Sequence, residues 1–106
     1  MPKIPKPPSP GESLLELHLR AYKIPFQREI ELIPGRKWRV DFLIGKWVIE
    51  VEGGIKQIGR HQREDGFSED CLKYNALTIA GYRVLRFTTA QVKIGLAIDT
   101  IRTVVK

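Results

Sequence analysis

Apolar residues first recur at helical spacing over residues 14–22, directly after a clear start signal. Ser9 is placed to cap a helix, and Glu12, three residues later, completes the spacing of a capping box. Pro25 ends the pattern, because proline cannot continue a helix. Residues 1–8 are rich in proline, so we expect them to form an extended, poorly ordered tail ahead of this first helix.

Three segments carry the apolar, β-branched and aromatic pattern of strands, at residues 26–33, 38–44 and 47–52. Gly45 and Lys46 alone separate the last two segments. A two-residue loop that begins with glycine is typical of a type II′ turn. The second and third strands should therefore form a tight antiparallel hairpin.

Beyond the hairpin, residues 55–66 are polar, basic and interrupted by glycine, which indicates a mobile loop. Residues 67–80 show a helical pattern, with Gly81 at the C′ position. A fourth strand is predicted over 83–88 and a closing amphipathic helix over 90–105. The order α-β-β-β-α-β-α predicts an α/β domain with a four-stranded mixed sheet flanked by helices.

Length and charge narrow the class of protein. The 106 residues suffice for one hydrophobic core, so we assign residues 9–106 to a single domain. Eighteen Lys and Arg against twelve Asp and Glu give a net charge of +6, which favours a polyanionic partner. No apolar run approaches the roughly 20 residues of a membrane span, so we expect no membrane partner. The single cysteine, Cys71, excludes an internal disulfide and fits a cytoplasmic protein.

The predicted hairpin places Asp41 directly opposite Glu50. Like charges at that position destabilise a sheet, so something must offset their repulsion. A raised pKa on one partner would do so, but a divalent cation such as Mg²⁺ does it better. Glu52 shares this face by period-2 alternation, and the Val51 carbonyl offers a further oxygen ligand.

The opposite face of the hairpin is predicted to be an unbroken apolar surface formed by Val40, Phe42, Ile44, Trp47, Ile49 and Val51. Two plainer interpretations of the acidic face stay open. Asp41 and Glu50 would simply be solvated on an exposed hairpin, or Glu52 would form a surface ion pair with Arg39, which alternation places opposite it.

Longer phrases around these acids carry a family resemblance. WRVDFLIGKWVIEVEGG, GRHQREDGF and DCLKYNALTIAGYRVLRFT resemble small phage and prophage nucleases related to the very-short-patch-repair endonucleases. More broadly, the order of elements around Asp41 and Glu50-Val51-Glu52 resembles the PD-(D/E)xK nuclease superfamily, whose core is restriction-endonuclease-like. The resemblance covers roughly residues 9–101.

The resemblance implies that Asp41 and Glu50 hold the metal and that position 52 carries the third catalytic group. The superfamily usually has lysine there, whereas this chain has Glu52, which as a variant acts as a base or as a ligand of a second metal. Lys73 on the following helix would supply the missing positive charge, although a helix pair with Asp70 competes for it.

The superfamily also often has a glutamate on its first helix, facing the site. Glu12 is the best match, with Glu16 one turn later as its competitor. The capping box with Ser9 is a sufficient local explanation of Glu12, so its catalytic role and its capping role both stay open.

Basic side chains on the strand entry, the loop and the second helix are the predicted DNA contacts. They would mainly neutralise phosphates and so set affinity and salt dependence rather than sequence choice. These residues are Arg36, Lys37, Arg39, Lys56, Arg60, His61, Arg63 and Lys73.

Together these features predict an endodeoxyribonuclease that uses Mg²⁺ or Mn²⁺ to hydrolyse DNA phosphodiester bonds. A structure-selective junction or mismatch nuclease is the alternative within the same class. The alternative from another class is a non-catalytic nucleic-acid-binding module with a vestigial site. A homodimer and a subunit role in a larger nuclease assembly both stay open.

Overall fold

The computed structural model describes residues 8–53 and 64–105. Almost all of the predicted tail and most of the predicted loop lie outside this part of the chain. The elements are helix α1 (Pro10–Ala21), strands β1 (Gln27–Glu31), β2 (Arg39–Ile44) and β3 (Trp47–Glu52), helix α2 (Glu64–Ile79), strand β4 (Arg83–Thr88), and helices α3 (Thr89–Lys93) and α4 (Leu96–Val104).

The four strands form one sheet in the order β1-β2-β3-β4. The first two pairings are antiparallel and β3 pairs with β4 in parallel, so the sheet is mixed, as predicted. The hairpin has the expected register, with Ile44 opposite Trp47. Gly45 has a φ of +60°. Lys46 has no positive φ, which agrees with the predicted type II′ turn.

Local signals at two helix ends act as predicted. The Ser9 hydroxyl accepts a hydrogen bond from the Glu12 N–H at 3.2 Å and caps α1. The Glu12 carboxylate meets the Ser9 hydroxyl at 3.3 Å rather than the Ser9 backbone, so the second half of the capping box is replaced by a side-chain contact. At the end of α2, Gly81 has a φ of +97° in the C′ position, the left-handed conformation that glycine adopts at low cost.

Helical boundaries differ from the prediction in two places. Helix α2 begins at Glu64, so its first turn takes residues that were assigned to the loop. The predicted closing helix over 90–105 is broken into α3 and α4 by Gly95, which has a φ of +84°. Thr88 begins this part of the chain with a complete capping box on α3. On either side of the break, Val92 of α3 and Ile98 and Ile101 of α4 all lie in the same buried cluster.

Helices cover both faces of the sheet. One face, here called the α1 face, packs against α1, α3 and α4 through a buried cluster that includes Leu15, Leu19, Phe42, Ile49, Val92 and Ile101. The other, here called the α2 face, packs Val40 and Val48 against Leu77 of α2. Burial on both sides explains why three consecutive residues of β3, Trp47, Val48 and Ile49, are all apolar.

The prediction of an unbroken apolar face on the hairpin is wrong at Val40. Phe42 lies in the cluster of the α1 face, whereas Val40 lies in the cluster of the α2 face. Residues two apart on a regular strand share a face, so the alternation of β2 reverses at Asp41.

Strand β1 reverses at the matching place. Arg28 lies over the ring of Phe42 at 4.3 Å, on the α1 face, whereas Ile30 packs against the cluster of the α2 face. Glu29, between them, has a φ of +50°, which is uncommon for a residue with a side chain. This positive φ is the local distortion that reverses the alternation of side chains along β1.

The sheet has two distinct ends. The end here called the acidic end carries the beginning of β2, the ends of β1, β3 and β4, and the N-terminus of α1. The end here called the turn end carries the Gly45-Lys46 turn and the beginning of β4.

Candidate metal centre

Asp41 and Glu50 lie at the acidic end, where the β2–β3 ladder opens. Backbone pairing between β2 and β3 extends from the turn only as far as Phe42 and Ile49. One step further, Glu50 Oε2 accepts a hydrogen bond from the Asp41 N–H at 2.9 Å, and Asp41 Oδ2 accepts one from the Val51 N–H at 2.8 Å. Each acid thus replaces a missing backbone acceptor, and the two side chains hold the opened strands together.

Asp41 also belongs to a group of three carboxylates. Ligand oxygens of Glu12, Glu29 and Asp41 all lie within 4.8 Å of one another. Glu12 comes from the first turn of α1, Glu29 from the distorted position of β1, and Asp41 from the reversal point of β2. We call these three residues the acidic cluster. Among the described residues, this is where carboxylates converge closely enough to share one ion.

Glu29 was not among the predicted site residues. The β1–β2 register pairs Arg28 with Phe42 and Ile30 with Val40, which places Glu29 opposite Asp41. The loop between β1 and β2 leaves this register unspecified in the sequence, because it is too long to act as a tight turn. Glu29 and Glu31 lie two residues apart on the same side of the predicted strand, so the sequence alone did not single out Glu29.

Arg28 organises the acidic cluster. Its Nη2 donates to Glu12 Oε1 at 2.7 Å and its Nη1 to Glu16 Oε1 at 2.6 Å, while its Nε donates to the Asp41 carbonyl at 2.9 Å. Both first-helix candidates are therefore held by one guanidinium, and Glu12 is the one that reaches the cluster. A single planar arginine can orient several oxygens at once, because its five N–H donors have fixed directions.

The pKa of Asp41 reflects both the burial of this side chain and the negative charges around it. Burial raises that pKa to about 7, and the negative charge of Glu50 adds to the effect. The hydrogen bond from the Val51 N–H acts in the opposite direction, while Glu12 and Glu29 raise the pKa further. Burial and the surrounding carboxylates therefore both disfavour the ionised form of Asp41, and a bound divalent cation would favour that form.

Glu50 lies on the α2 face and has a different set of partners. Its side chain is buried, and its Oε1 accepts hydrogen bonds from Lys73 Nζ at 2.9 Å and from the Tyr74 hydroxyl at 3.1 Å. Lys73 also donates to the Arg39 carbonyl at 2.8 Å. Lys73 is thus brought next to a predicted site carboxylate, whereas Asp70 is not its partner in any described hydrogen bond or ion pair.

Glu52 lies outside the acidic cluster. Its Oε2 accepts a hydrogen bond from Arg86 Nε on β4 at 2.9 Å. The ion pair that the sequence suggested between Glu52 and Arg39 is wrong, because Arg39 points to Glu31 on β1, with 3.8 Å between Nε and Oε2. The parallel pairing of β3 with β4 supplies Glu52 with a nearer cation.

The predicted DNA contacts divide into three groups. Arg36, Lys37 and Arg39 are exposed near the acidic end, and the Arg36 guanidinium lies 4.5 Å from the ring of Trp38. Lys73 is largely buried, with 14% of its side chain exposed, and is committed to Glu50. The remaining four, which are Lys56, Arg60, His61 and Arg63, lie outside the described residues.

The donors of the acidic cluster fit a small divalent cation. All three are carboxylate oxygens, the ligand type that Mg²⁺ and Mn²⁺ prefer. Among the described residues, Arg28 is the cation that forms ion pairs with this cluster, so three carboxylates face one positive charge. Val51 uses its backbone N–H in the site, and a ligand role for its carbonyl stays a prediction.

The architecture is that of a nuclease-like α/β fold. A solved structure titled homing endonuclease I-Bth0305I catalytic domain matches it with a TM-score of 0.62, over 92% of this chain and 89% of that chain. Sequence identity over the match is 22%, so the likeness establishes the fold. No protein-family model and no curated protein matches the chain. Among the described residues, none of the helices is long and apolar enough to cross a membrane.

Proposed function

We propose that this chain is an endodeoxyribonuclease that requires Mg²⁺ or Mn²⁺ and hydrolyses phosphodiester bonds in DNA. One observation carries the proposal: carboxylates of Glu12, Glu29 and Asp41 converge at the open end of the sheet, in a fold shared with a homing endonuclease catalytic domain. The PD-(D/E)xK assignment and the relation to very-short-patch-repair endonucleases belong to the same proposal.

Within this proposal, Asp41 holds the ion together with Glu12 and Glu29. A bound divalent ion polarises a phosphoryl oxygen and lowers the pKa of its water. Arg28 keeps the Glu12 carboxylate oriented through its 2.7 Å contact. Glu50 fixes the Asp41 backbone at the same time, so the strand that carries the main ligand is held in place before DNA arrives.

Glu50, Lys73 and Glu52 complete the proposed catalytic set. Lys73 balances the buried charge of Glu50 and orients it. Glu52, two residues along the same strand, is the proposed proton acceptor for the attacking water, with Arg86 holding its carboxylate. Arg36, Lys37 and Arg39 would neutralise DNA phosphates beside the site.

The decisive experiment is cleavage of labelled DNA by purified protein in Mg²⁺ or Mn²⁺. We expect Asp41→Asn to lose at least about a hundredfold in rate, the scale typical of losing a group that stabilises the transition state. Asp99→Asn is the matched control, because Asp99 is an exposed acid on α4 with no side-chain partner among the described contacts. Undiminished cleavage by Asp41→Asn would refute the proposal.

Two further experiments distinguish between the alternative sites and between the alternative functions. Glu29→Gln distinguishes the acidic cluster from the set Asp41, Glu50 and Glu52, because Glu29 belongs only to the first. A panel of duplex, mismatched, flapped and four-way DNAs tests whether a structure-selective nuclease describes the substrate better. Tight binding by the native chain without cleavage of any substrate would support the non-catalytic module instead.

A further inference from the structure

Charge is segregated between the two ends of the sheet. No Asp or Glu occurs in the segments that form the turn end, at residues 20–27, 43–47, 79–85 and 100–105. The same segments carry several cations. Their predominance at this end contrasts with the acidic cluster at the opposite end of the same strands.

Four of these cations form what we call the turn-end basic surface: Lys23, Lys46, Arg83 and Arg102. The Arg83 N–H donates to the Lys46 carbonyl at 2.9 Å, which brings the turn and the beginning of β4 together. All four are exposed. Within the described part of the chain, none of the four takes part in an ion pair.

Aromatic rings hold three of these cations in place. Lys46 Nζ lies 5.3 Å from the ring centroid of Tyr82, and the Arg83 guanidinium lies 5.5 Å from that of Trp47. The Arg102 guanidinium lies 4.0 Å from the ring of Tyr22, which is 49% exposed. Such contacts limit the motion of long side chains and leave their charge facing solvent.

Two shallow cavities open at the turn end of the sheet. One, of about 410 Å³, is lined by Arg20, Lys23, Ile24, Pro25 and Phe26. The other, of about 300 Å³, adjoins it through Pro25 and Phe26 and reaches Gly45. The first cavity has apolar side chains beside two cations, whereas the second is lined by uncharged residues and reaches Gly45, the neighbour of Lys46 in the turn.

We propose that the turn-end basic surface binds a single strand of nucleic acid. Charge complementarity favours a polyanion, and apolar cavities beside cations suit unpaired bases that are attached to phosphates. The bases of a duplex are stacked inside it, so a duplex would contact the cations of this surface through its phosphates and leave the apolar cavities unfilled. This surface lies at the opposite end of the sheet from the metal centre and uses none of its residues, so the proposal is independent of DNA cleavage.

Binding of labelled oligothymidine to the native chain, followed by fluorescence anisotropy in EDTA, tests this proposal. We expect Lys46→Gln/Arg83→Gln to bind at least about tenfold more weakly and to lower the slope of log K against log salt by about 1.4, or about 0.7 for each lost phosphate contact. Lys93→Gln removes one exposed cation outside this surface, and it should change both values much less than Lys46→Gln does. Circular dichroism would verify that all three variants are folded.

Photocrosslinking locates the strand directly. Bromodeoxyuridine in the oligonucleotide should crosslink to Tyr82 or Trp47, and the crosslink should disappear in Lys46→Gln/Arg83→Gln. Equal losses in Lys46→Gln and Lys93→Gln, crosslinks confined to the acidic end, or tighter binding of a matched duplex would each overturn the proposal. So would a turn-end variant that loses binding to anionic lipid vesicles but keeps its affinity for the oligonucleotide. Because the assay contains no divalent ion, absence of nuclease activity would not affect its result.

Discussion

Asp41 combines two roles that usually conflict. Its Oδ2 accepts a structural hydrogen bond from Val51, while its neighbours Glu12 and Glu29 crowd it with negative charge. Burial of Asp41 and the nearby charge of Glu50 oppose ionisation, with Glu12 and Glu29 adding to them, whereas the structural bond favours the ionised form. The balance lies toward protonation, because the pKa of Asp41 is raised to about 7. Without a cation, the ionised site is therefore strained at neutral pH.

This imbalance predicts how metal-free stability depends on pH. The folded protein holds the Asp41 proton up to about pH 7, whereas the unfolded chain releases it near 3.8. Between those values the folded state binds more protons, so the contribution of Asp41 to stability is largest at low pH and is lost as pH rises toward 7. Urea unfolding in EDTA should show native stability falling more steeply from pH 5 to pH 8 than that of Asp41→Asn. Parallel profiles would contradict the raised pKa.

At the scale of elements, the first turn of α1 depends on one close contact. A Cβ placed on Gly11 would lie 2.7 Å from Thr89 Oγ1 and 2.9 Å from Val51 Cγ1, closer than such atoms approach. Glycine therefore allows the helix to approach β3 and α3. The same approach brings Glu12, one residue later, to the acidic cluster.

Gly11→Ala should therefore affect both stability and the site. We expect a loss of about 1–3 kcal/mol in unfolding free energy, the usual cost of overpacking, because α1 must shift away from Val51. The displaced Glu12 should also weaken binding of Mn²⁺. Ser13→Ala, at an exposed position of the same helix, is the control and should change stability by less than about 0.5 kcal/mol. Urea unfolding and calorimetric titration would measure the two effects.

For the whole molecule, ion binding and folding should be coupled. The acidic cluster draws ligands from three separate elements, so an ion held there binds the folded state only. Mass action then stabilises the fold by an amount that grows with ion concentration, about 2.7 kcal/mol at a hundred times the dissociation constant.

Thermal melting at pH 8 measures this coupling. Mg²⁺ or Mn²⁺ should raise the melting temperature of the native chain by several degrees, and EDTA should reverse the rise. Asp41→Asn should show little response, whereas Asp99→Asn should respond like the native chain. A rise of the same size in Asp41→Asn would place the ion elsewhere.

Much of the fold was predictable because its signals are local. The Ser9 cap, the Gly45-Lys46 turn and the Gly81 helix end each depend on a few adjacent residues, and the structure confirms all three. The register of the hairpin followed from the turn. The mixed sheet and its flanking helices then followed from the order of the elements.

Lys73 and Glu12 were candidates from resemblance alone, and the structure brings each beside a predicted site acid. Lys73 Nζ lies 2.9 Å from Glu50, and Glu12 lies in the acidic cluster with Asp41. The members of each pair are too far apart along the chain for a local sequence pattern to predict their contact. Only packing of α1 and α2 on opposite faces of the sheet could establish such contacts.

The sequence by itself determined the helix caps, the tight turn and the position of the hairpin acids, because each depends on backbone preferences within a few residues. Tertiary structure alone decided that Glu29 joins Asp41 and that Glu52 pairs with Arg86. The Glu29–Asp41 contact depends on the β1–β2 register and on the reversal of side-chain alternation at the positive φ of Glu29, and the Glu52–Arg86 pair depends on the parallel pairing of β3 with β4. Both are settled by the packing of the whole sheet, in which the many apolar contacts of two faces outweigh the preferences of any single residue.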